Sequence, residues 1–445
     1  MKYYSTNHHA PLVTLRCAVE HGLAPDKGLY MPERFGRLSL SFFQDIDKLS
    51  FQEIAFEVAK CLFQDDIDEN SLKSIVYDTL SFDTPLKKVQ DNLYSLELFH
   101  GPTLAFKDVG ARFMARMLQY FIRKDACDKS SQVNVLVATS GDTGSAVANG
   151  FLGTENIHVY VLYPKGKVSR IQESQFTTLG HNITALEVNG NFDDCQALVK
   201  QAFMDSDLKA LTLTSANSIN VARLLPQSFY YFNAYAQLKR MGIINSKQDS
   251  LVFCVPSGNF GNITAGLIAA RMGLPVSHFI AANNANDEFY QYLKTGTYTP
   301  RPSIATLANA MDVGAPSNFA RILDLYNNDN SAINKAISGA TYTDEEIRHI
   351  MRVCYQTNGY ILDPHGACAY QALKSQLQPE QVGVFLETAH PAKFKEKVDA
   401  IDSIDIEIPE RLQKFMQGKK STVSMARDYD SFKAFLLSKI PASAR

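Results

Sequence analysis

From about residue 130 onward, short apolar runs rich in β-branched and aromatic residues alternate with helical stretches. VNVLVATS (133–140), NIHVYVLYP (156–164), LVFCVPSG (251–258), SHFIAANN (277–284) and VGVFLETAH (382–390) each read as a buried strand. A strand that is apolar on both faces needs cover on both faces, and parallel sheets obtain it from the helices of successive βαβ units. The pattern predicts an α/β fold. Glycine and small polar residues follow the last apolar residue of three runs, in SGDTGS, PSGNFGN and ETAH. Open parallel sheets bind ligands outside the carboxyl ends of their strands, so these three turns mark where a site belongs.

The first ninety or so residues differ. They carry amphipathic helical patterns such as SFQEIAFEVAKCLF (50–63), and a turn-marked stretch, APDKGLYMPERF. No repeat, low-complexity tract or long linker interrupts the chain. At 445 residues it has room for two or three domains. A net charge of -2 makes no electrostatic case for nucleic acid or an anionic membrane surface. No apolar run is long enough to span a bilayer, and the N-terminus lacks a secretory apolar core. The seven cysteines (Cys17, Cys61, Cys127, Cys195, Cys254, Cys354, Cys368) are scattered, with no C-x-x-C pair. That spacing argues for reduced thiols in the cytoplasm rather than a disulfide or zinc framework.

Four stretches carry candidate chemistry. In PSGNFGN, Ser257, Gly258, Asn259, Phe260, Gly261 and Asn262 join a strand to a helix. Close backbone approach and unpaired helix N–H groups make such a turn an anion cradle; its plain reading is a capped βα turn. Ser140, Gly141, Asp142 and Thr143 repeat the form, with Asp142 as cap or the hydroxyls as a carboxylate or phosphate site. SANSINVARLLPQ (215–227) places Asn217, Ser218 and Asn220 before Arg223, whose planar fork suits a phosphate if the cluster is more than a helix start. His365 in DPHGA and His390 in ETAHPAKF read as structural, and no histidine spacing suggests a metal. Finally, HGPTLAFKDVGARF (100–113) sets Lys107 between Phe106 and Asp108. A desolvated lysine becomes a nucleophile toward carbonyls, with Asp108 to orient or partly neutralise it. Otherwise its stem packs on Phe106 and its head stays in water.

Together these segments resemble the threonine synthases, pyridoxal-phosphate enzymes of the tryptophan-synthase-β type. YYSTNHHAPLVTLRCAVEHGLAPDKGLYMP is similar to the family's opening motif, and FHGPTLAFKDVGARF to its cofactor-lysine segment. TSGDTGSA resembles its substrate loop and PSGNFGN its cofactor-phosphate loop; SANSIN with Arg223, DPHGA and ETAHPAKF complete the set. The resemblance implies a fold type II architecture, with the cofactor between two open twisted α/β domains and a mostly helical N-terminal domain. Its expected division is 1–92 for the N-terminal domain, 93–110 with 205–445 for the large domain, and 111–204 for the small one. It implies pyridoxal 5'-phosphate joined to Lys107, held by Ser257 to Asn262 mostly through backbone N–H groups, with Thr388 facing the ring nitrogen. Ser140, Gly141, Asp142 and Thr143 would bind the substrate α-carboxylate. Asn217, Ser218, Asn220 and Arg223, with Lys165 of YPKGK, would receive the substrate phosphate. The implied reaction turns O-phospho-L-homoserine and water into L-threonine and phosphate, in a cytoplasmic monomer of the long microbial form. Two alternatives stay open on the residues: a lyase of the same fold giving a 2-keto acid and ammonia, and a non-catalytic binder of a phosphorylated metabolite.

Overall fold

The computed structural model describes residues 1–124, 132–244 and 250–439. Its strands are β1 (Lys2–Ser5), β2 (Val13–Thr14), β3 (Tyr30–Pro32), β4 (Leu86–Gln90), β5 (Leu93–Glu97), β6 (Val133–Ala138) and β7 (Ile157–Pro164). They continue with β8 (Ile183–Val188), β9 (Leu213–Ser215), β10 (Ser250–Pro256), β11 (His278–Asn283), β12 (Ile337–Thr341), β13 (Gln381–Glu387) and β14 (Val423–Met425). The larger sheet runs β12-β11-β10-β13-β5-β4, parallel except at its β4 edge. The smaller runs β14-β8-β7-β6-β9 and is parallel throughout. The five strands expected from apolar runs all form, within three residues of their expected ends.

Eight of the helices are the following: α1 (Phe51–Phe63), α2 (Lys107–Lys124), α3 (Asp142–Gly150), α4 (Arg170–Thr177), α5 (Phe192–Met204), α6 (Gly261–Arg271), α7 (Pro364–Gln376) and α8 (Tyr429–Leu437). Helix α1 starts at a capping box in which Ser50 and Glu53 satisfy each other's backbone N–H groups. It buries Ile54, Val58 and Leu62 at one helical face. One apolar cluster runs from Tyr3 and Ile54 through Phe113 to Val135 and Phe253, so the N-terminal residues share a core with both sheets. That N-terminal part is not helical alone: β1 pairs antiparallel with β2 and β3. The buried guanidinium of Arg321 ties it to the sheets, donating to the carbonyls of Tyr30, Ser218 and Ile219.

Strand membership departs from the expected division in two places. β9 and β14 were grouped with the large unit, yet β9 pairs with β6 and β14 with β8. Each is three residues long, too short to show a period, and only pairing assigns it. The C-terminal helix α8 follows β14 and buries Phe432 and Leu436 against Leu198 and Leu186 of the smaller unit. Among the described residues no helix is long and apolar enough to cross a membrane. Six cysteines are free thiols, and Cys127 lies outside the described residues.

Because Phe432 is fully buried in that cluster, Phe432→Ala should destabilise the protein by about 3 kcal/mol, the cost of truncating a core aromatic. Denaturant unfolding checks this; a loss below about 1 kcal/mol would mean that α8 is not part of the smaller unit's core.

Candidate functional site

The carboxyl ends of β5, β10 and β13 in one sheet, and of β6 and β9 in the other, border a single cleft of about 240 Å³. Lys107, Ser140, Thr143, Asn217, Ser218, Arg223 and Thr388 line it, as do Gly258 to Asn262. Residues far apart in sequence are thus brought together by parallel topology, since each strand delivers its following turn to the same edge.

The turn after β10 is built to leave donors free. Phe260 takes a left-handed conformation (φ 61°), reversing the chain immediately before α6. Backbone N–H groups from Gly258 to Asn262 make no hydrogen bond among the described residues. They sit at the positive end of an 11-residue helix, the arrangement that binds phosphate. The side chains of the turn are engaged in shaping it. Asn259 donates to Ser218 at 2.8 Å and accepts from the Ser317 N–H at 2.6 Å, while Asn262 donates to the Pro256 carbonyl. A Cβ on Gly258 would stand 2.7 Å from Met311 Cα, so the covering loop can approach only a bare backbone.

Lys107 is the first residue of α2 and keeps part of its surface open to the cleft. Among the described residues its Nζ has no hydrogen-bond partner; it lies 5.6 Å from the Phe106 ring centre. Burial lowers its pKa to about 8, with Asp142 opposing that shift and the Lys393 and Arg223 cations adding to it. Asp108, expected to orient or neutralise Lys107, does neither. Its carboxylate accepts from the Thr103 N–H at 2.8 Å and from the Thr103 hydroxyl at 2.6 Å, on the side of the turn before α2.

Asp142, expected to help bind a carboxylate, is occupied instead by Lys393 at 2.7 Å and by the Gln172 amide at 2.8 Å. Burial alone would raise its pKa, but the Lys393 and Lys107 ammoniums outweigh that and hold it below the usual carboxylate range. Gly141 (φ 141°) does not line the cleft: the Gln172 side chain lies within 2.7 Å of where a Cβ would project. Ser257 points away, its N–H on the Ala282 carbonyl and its hydroxyl on that of Val255. Asn220 caps the turn containing Arg223 and donates to the Val19 and Ser215 carbonyls, outside the cleft. Lys165 is exposed, 3.9 Å from Glu187, and is not a lining residue. Arg223 is buried at the cleft wall with one arm on the Ala216 carbonyl and, among the described residues, no partner for its Nε. Burial lowers its pKa to about 10, so it stays a cation at neutral pH.

The cleft has members that periodicity does not reveal. Arg301, Asn309 to Ala315 and Ser317 line it from a largely irregular segment with one short 3-10 turn at Asn309–Met311, and Asp193, Gln196 and Lys200 from one face of α5. His365 also lines it; it accepts the Ala310 N–H at Nε2 (3.1 Å) and lies 2.5 Å from Asp363 at Nδ1. It thereby fastens the loop that covers Gly258. The Asp-x-His spacing in DPHGA was the available signal. His390 caps the short turn at Pro391–Phe394, in line with a structural role.

If this turn holds the cofactor phosphate that the resemblance implies, Gly258→Ala weakens cofactor binding by about tenfold or more, because the Met311 backbone cannot yield to a methyl group. Fluorescence titration with pyridoxal phosphate measures this, and an unchanged affinity would place the phosphate elsewhere.

Comparison with known proteins bears on the same residues. The family described as "Pyridoxal-phosphate dependent enzyme" matches residues 79–388. "Threonine synthase N terminus" matches 2–80 and "Threonine synthase, C-terminal" matches 365–436. The threonine synthase of Haemophilus influenzae is 45% identical over 98% of this chain and 100% of its own. The crystal structure of threonine synthase from Escherichia coli superposes with a TM-score of 0.91 at 41% identity, covering 98% of this chain and 100% of that one. A pyridoxal-phosphate-bound threonine synthase from Brucella melitensis also superposes at 0.91, with 34% identity over 99% of this chain and 100% of that one. The chain belongs to the threonine synthases, within the pyridoxal-phosphate-dependent enzymes.

Proposed function

We propose that this chain converts O-phospho-L-homoserine and water into L-threonine and inorganic phosphate, with Lys107 as both cofactor lysine and proton carrier. One observation carries the assignment of Lys107. Among the described residues its amine has no partner, and it lines the same cleft as a row of unbonded backbone N–H groups and the buried cation of Arg223. The reaction needs an amine and two anion sites together, since cofactor and substrate each bring a phosphate.

The residues present fit pyridoxal phosphate. The unbonded N–H groups from Gly258 to Asn262 suit its phosphate, and Thr388 offers a neutral hydroxyl for the ring nitrogen. When bound, the cofactor supplies a conjugated ring that takes up electrons as bonds at the substrate's α-carbon break. Ser140, Thr143 and the backbone N–H groups of Asp142 and Thr143 would receive the α-carboxylate, since the Gly141 and Gly144 N–H groups are taken by the Thr139 hydroxyl. Lys393 neutralises Asp142, removing a charge that would repel that carboxylate. Asn217, Ser218 and Arg223 form the candidate site for the substrate phosphate, on the same wall as Lys107.

In the overall change protons leave Cα and Cβ, phosphate leaves Cγ, Cγ and Cα regain protons, and the hydroxyl of water joins Cβ. Lys107 is the group suited to those transfers, because an amine with a pKa near 8 both accepts and returns protons at neutral pH. Arg223 keeps its charge throughout and can hold the departing phosphate.

Incubation with O-phosphohomoserine should yield L-threonine and phosphate in equal amounts; 2-oxobutyrate and ammonia as the main products would overturn the reading. Arg223→Ala should lower kcat/KM by about 100-fold, the loss of one charge-assisted phosphate contact, and leave cofactor affinity nearly intact. Equal losses in both would assign Arg223 to the scaffold instead.

A further inference from the structure

Lys393 is the one lysine of ETAHPAKF, and beyond neutralising Asp142 it has no part in the roles above. It lies in the short helical turn Pro391–Phe394 that follows β13, with its side chain fully buried. Its Nζ donates to the Thr103 carbonyl at 2.9 Å and contacts Asp142 at 2.7 Å. Thr103 is the residue whose N–H and hydroxyl hold Asp108, next to Lys107. Asp142 opens α3 on the other sheet, and Gln172 of α4 shares its carboxylate. One ammonium therefore joins the segment before Lys107 to the turn after β6. A lysine taken wholly out of water is costly unless it is paired, so its burial here needs a reason beyond packing.

The charges around Lys107 supply one. Three charges act on it: the Asp142 carboxylate of α3, whose neighbours Ser140 and Thr143 line the same cleft, Lys393 of the turn after β13, and Arg223 of the turn at Val221–Leu224, which lines the cleft beside it. Asp108, on its own helix, is turned to Thr103, and His365 of α7 lines the cleft while engaged with Asp363 and Ala310. The remaining charged lining groups are Asp193, Lys200, Arg301 and Asp312. Asp142 is the anion that acts most strongly on Lys107, and Lys393 covers it.

We propose that Lys393 is a positioning residue for Lys107: by binding the Asp142 carboxylate it keeps that carboxylate from capturing the Lys107 ammonium, and so leaves the Lys107 amine free to react. The pair is a charge lock rather than a hinge. Its two members act on Lys107 with opposite sign, Asp142 favouring the ammonium and Lys393 the free amine. The inference rests on the reading of Lys107 as the reacting amine, but it concerns a property of that amine which can be measured without cofactor or turnover.

The test is trace acetylation of the full-length, cofactor-free protein with acetic anhydride at a series of pH values, reading the Lys107 peptide by mass spectrometry. Only the neutral amine is labelled, so the midpoint of labelling reports the Lys107 pKa, expected near 8 in the unaltered chain. Lys393→Met should raise that midpoint by about one unit or more, because Asp142 then pairs with Lys107. Asp142→Asn should lower it, and Lys393→Arg should hold it. A merely structural role moves both neutralising variants the same way or neither, and either result overturns the proposal. Should Lys393→Met fail to fold, as judged by thermal unfolding, Asp142→Asn decides alone, and a raised or unmoved midpoint overturns the proposal. Loss of turnover in Lys107→Ala is a separate measurement, so failure of the cofactor-lysine reading is distinguishable from failure of this one.

Discussion

The geometry of the cleft depends on a short backbone register between the exit of β13 and the chain leading into α2. Leu98 N–H bonds to the Glu387 carbonyl, Phe106 N–H to that of Thr388 and His390 N–H to that of Leu104, at 2.9, 2.9 and 3.0 Å. Ala105 and Ala389 form an antiparallel bridge between them. After running parallel to β13 as β5, the chain loops out and returns against the same strand's continuation. Leu104 turns it with φ 55°, a conformation that costs of order 1–3 kcal/mol for a residue with a Cβ and persists where the surroundings over-determine it. The result is that Lys107 and Thr388, 281 positions apart, border one cleft. A one-residue slip would turn the side chains of this segment to the opposite face.

Given that register, the electrostatics follow from what is paired and what is not. Asp108 is held by Thr103, Asp142 by Lys393 and Gln172, and Arg223 in part by the Ala216 carbonyl. Among the described residues the Lys107 amine and the backbone N–H groups from Gly258 to Asn262 remain without partners. Unsatisfied buried donors are expensive in a fold that has no use for them. Their concentration at the carboxyl edge of two sheets is what separates a binding cleft from a packing defect.

Much of this was legible in the sequence. The apolar runs announced β6, β7, β10, β11 and β13, and glycine with asparagine after β10 announced a turn of closely approached bare backbone, because strand burial and backbone approach leave strong local patterns. What stayed hidden was how each polar residue is engaged. Ser257, Asp142 and Asn220 stand beside residues that line the cleft, yet their side chains are taken up by Val255, by Lys393 and by Val19 with Ser215. Such contacts span up to 251 positions, as between Asp142 and Lys393, and no local pattern encodes them. The strands β9 and β14 were hidden for a different reason, since three residues carry too little periodicity to assign a sheet. Arg301 and the 309–317 loop lie in largely irregular backbone, where sequence offers only composition.

The central claim is that Lys107, and no other lysine of the cleft, is the amine that joins the cofactor. Borohydride reduction of the protein loaded with pyridoxal phosphate, followed by proteolysis and mass spectrometry, tests it directly. The account predicts the pyridoxyl group on the peptide containing Lys107 and no labelled peptide from Lys107→Ala. A pyridoxyl group on Lys200 or Lys393, or one that survives in Lys107→Ala, would contradict it.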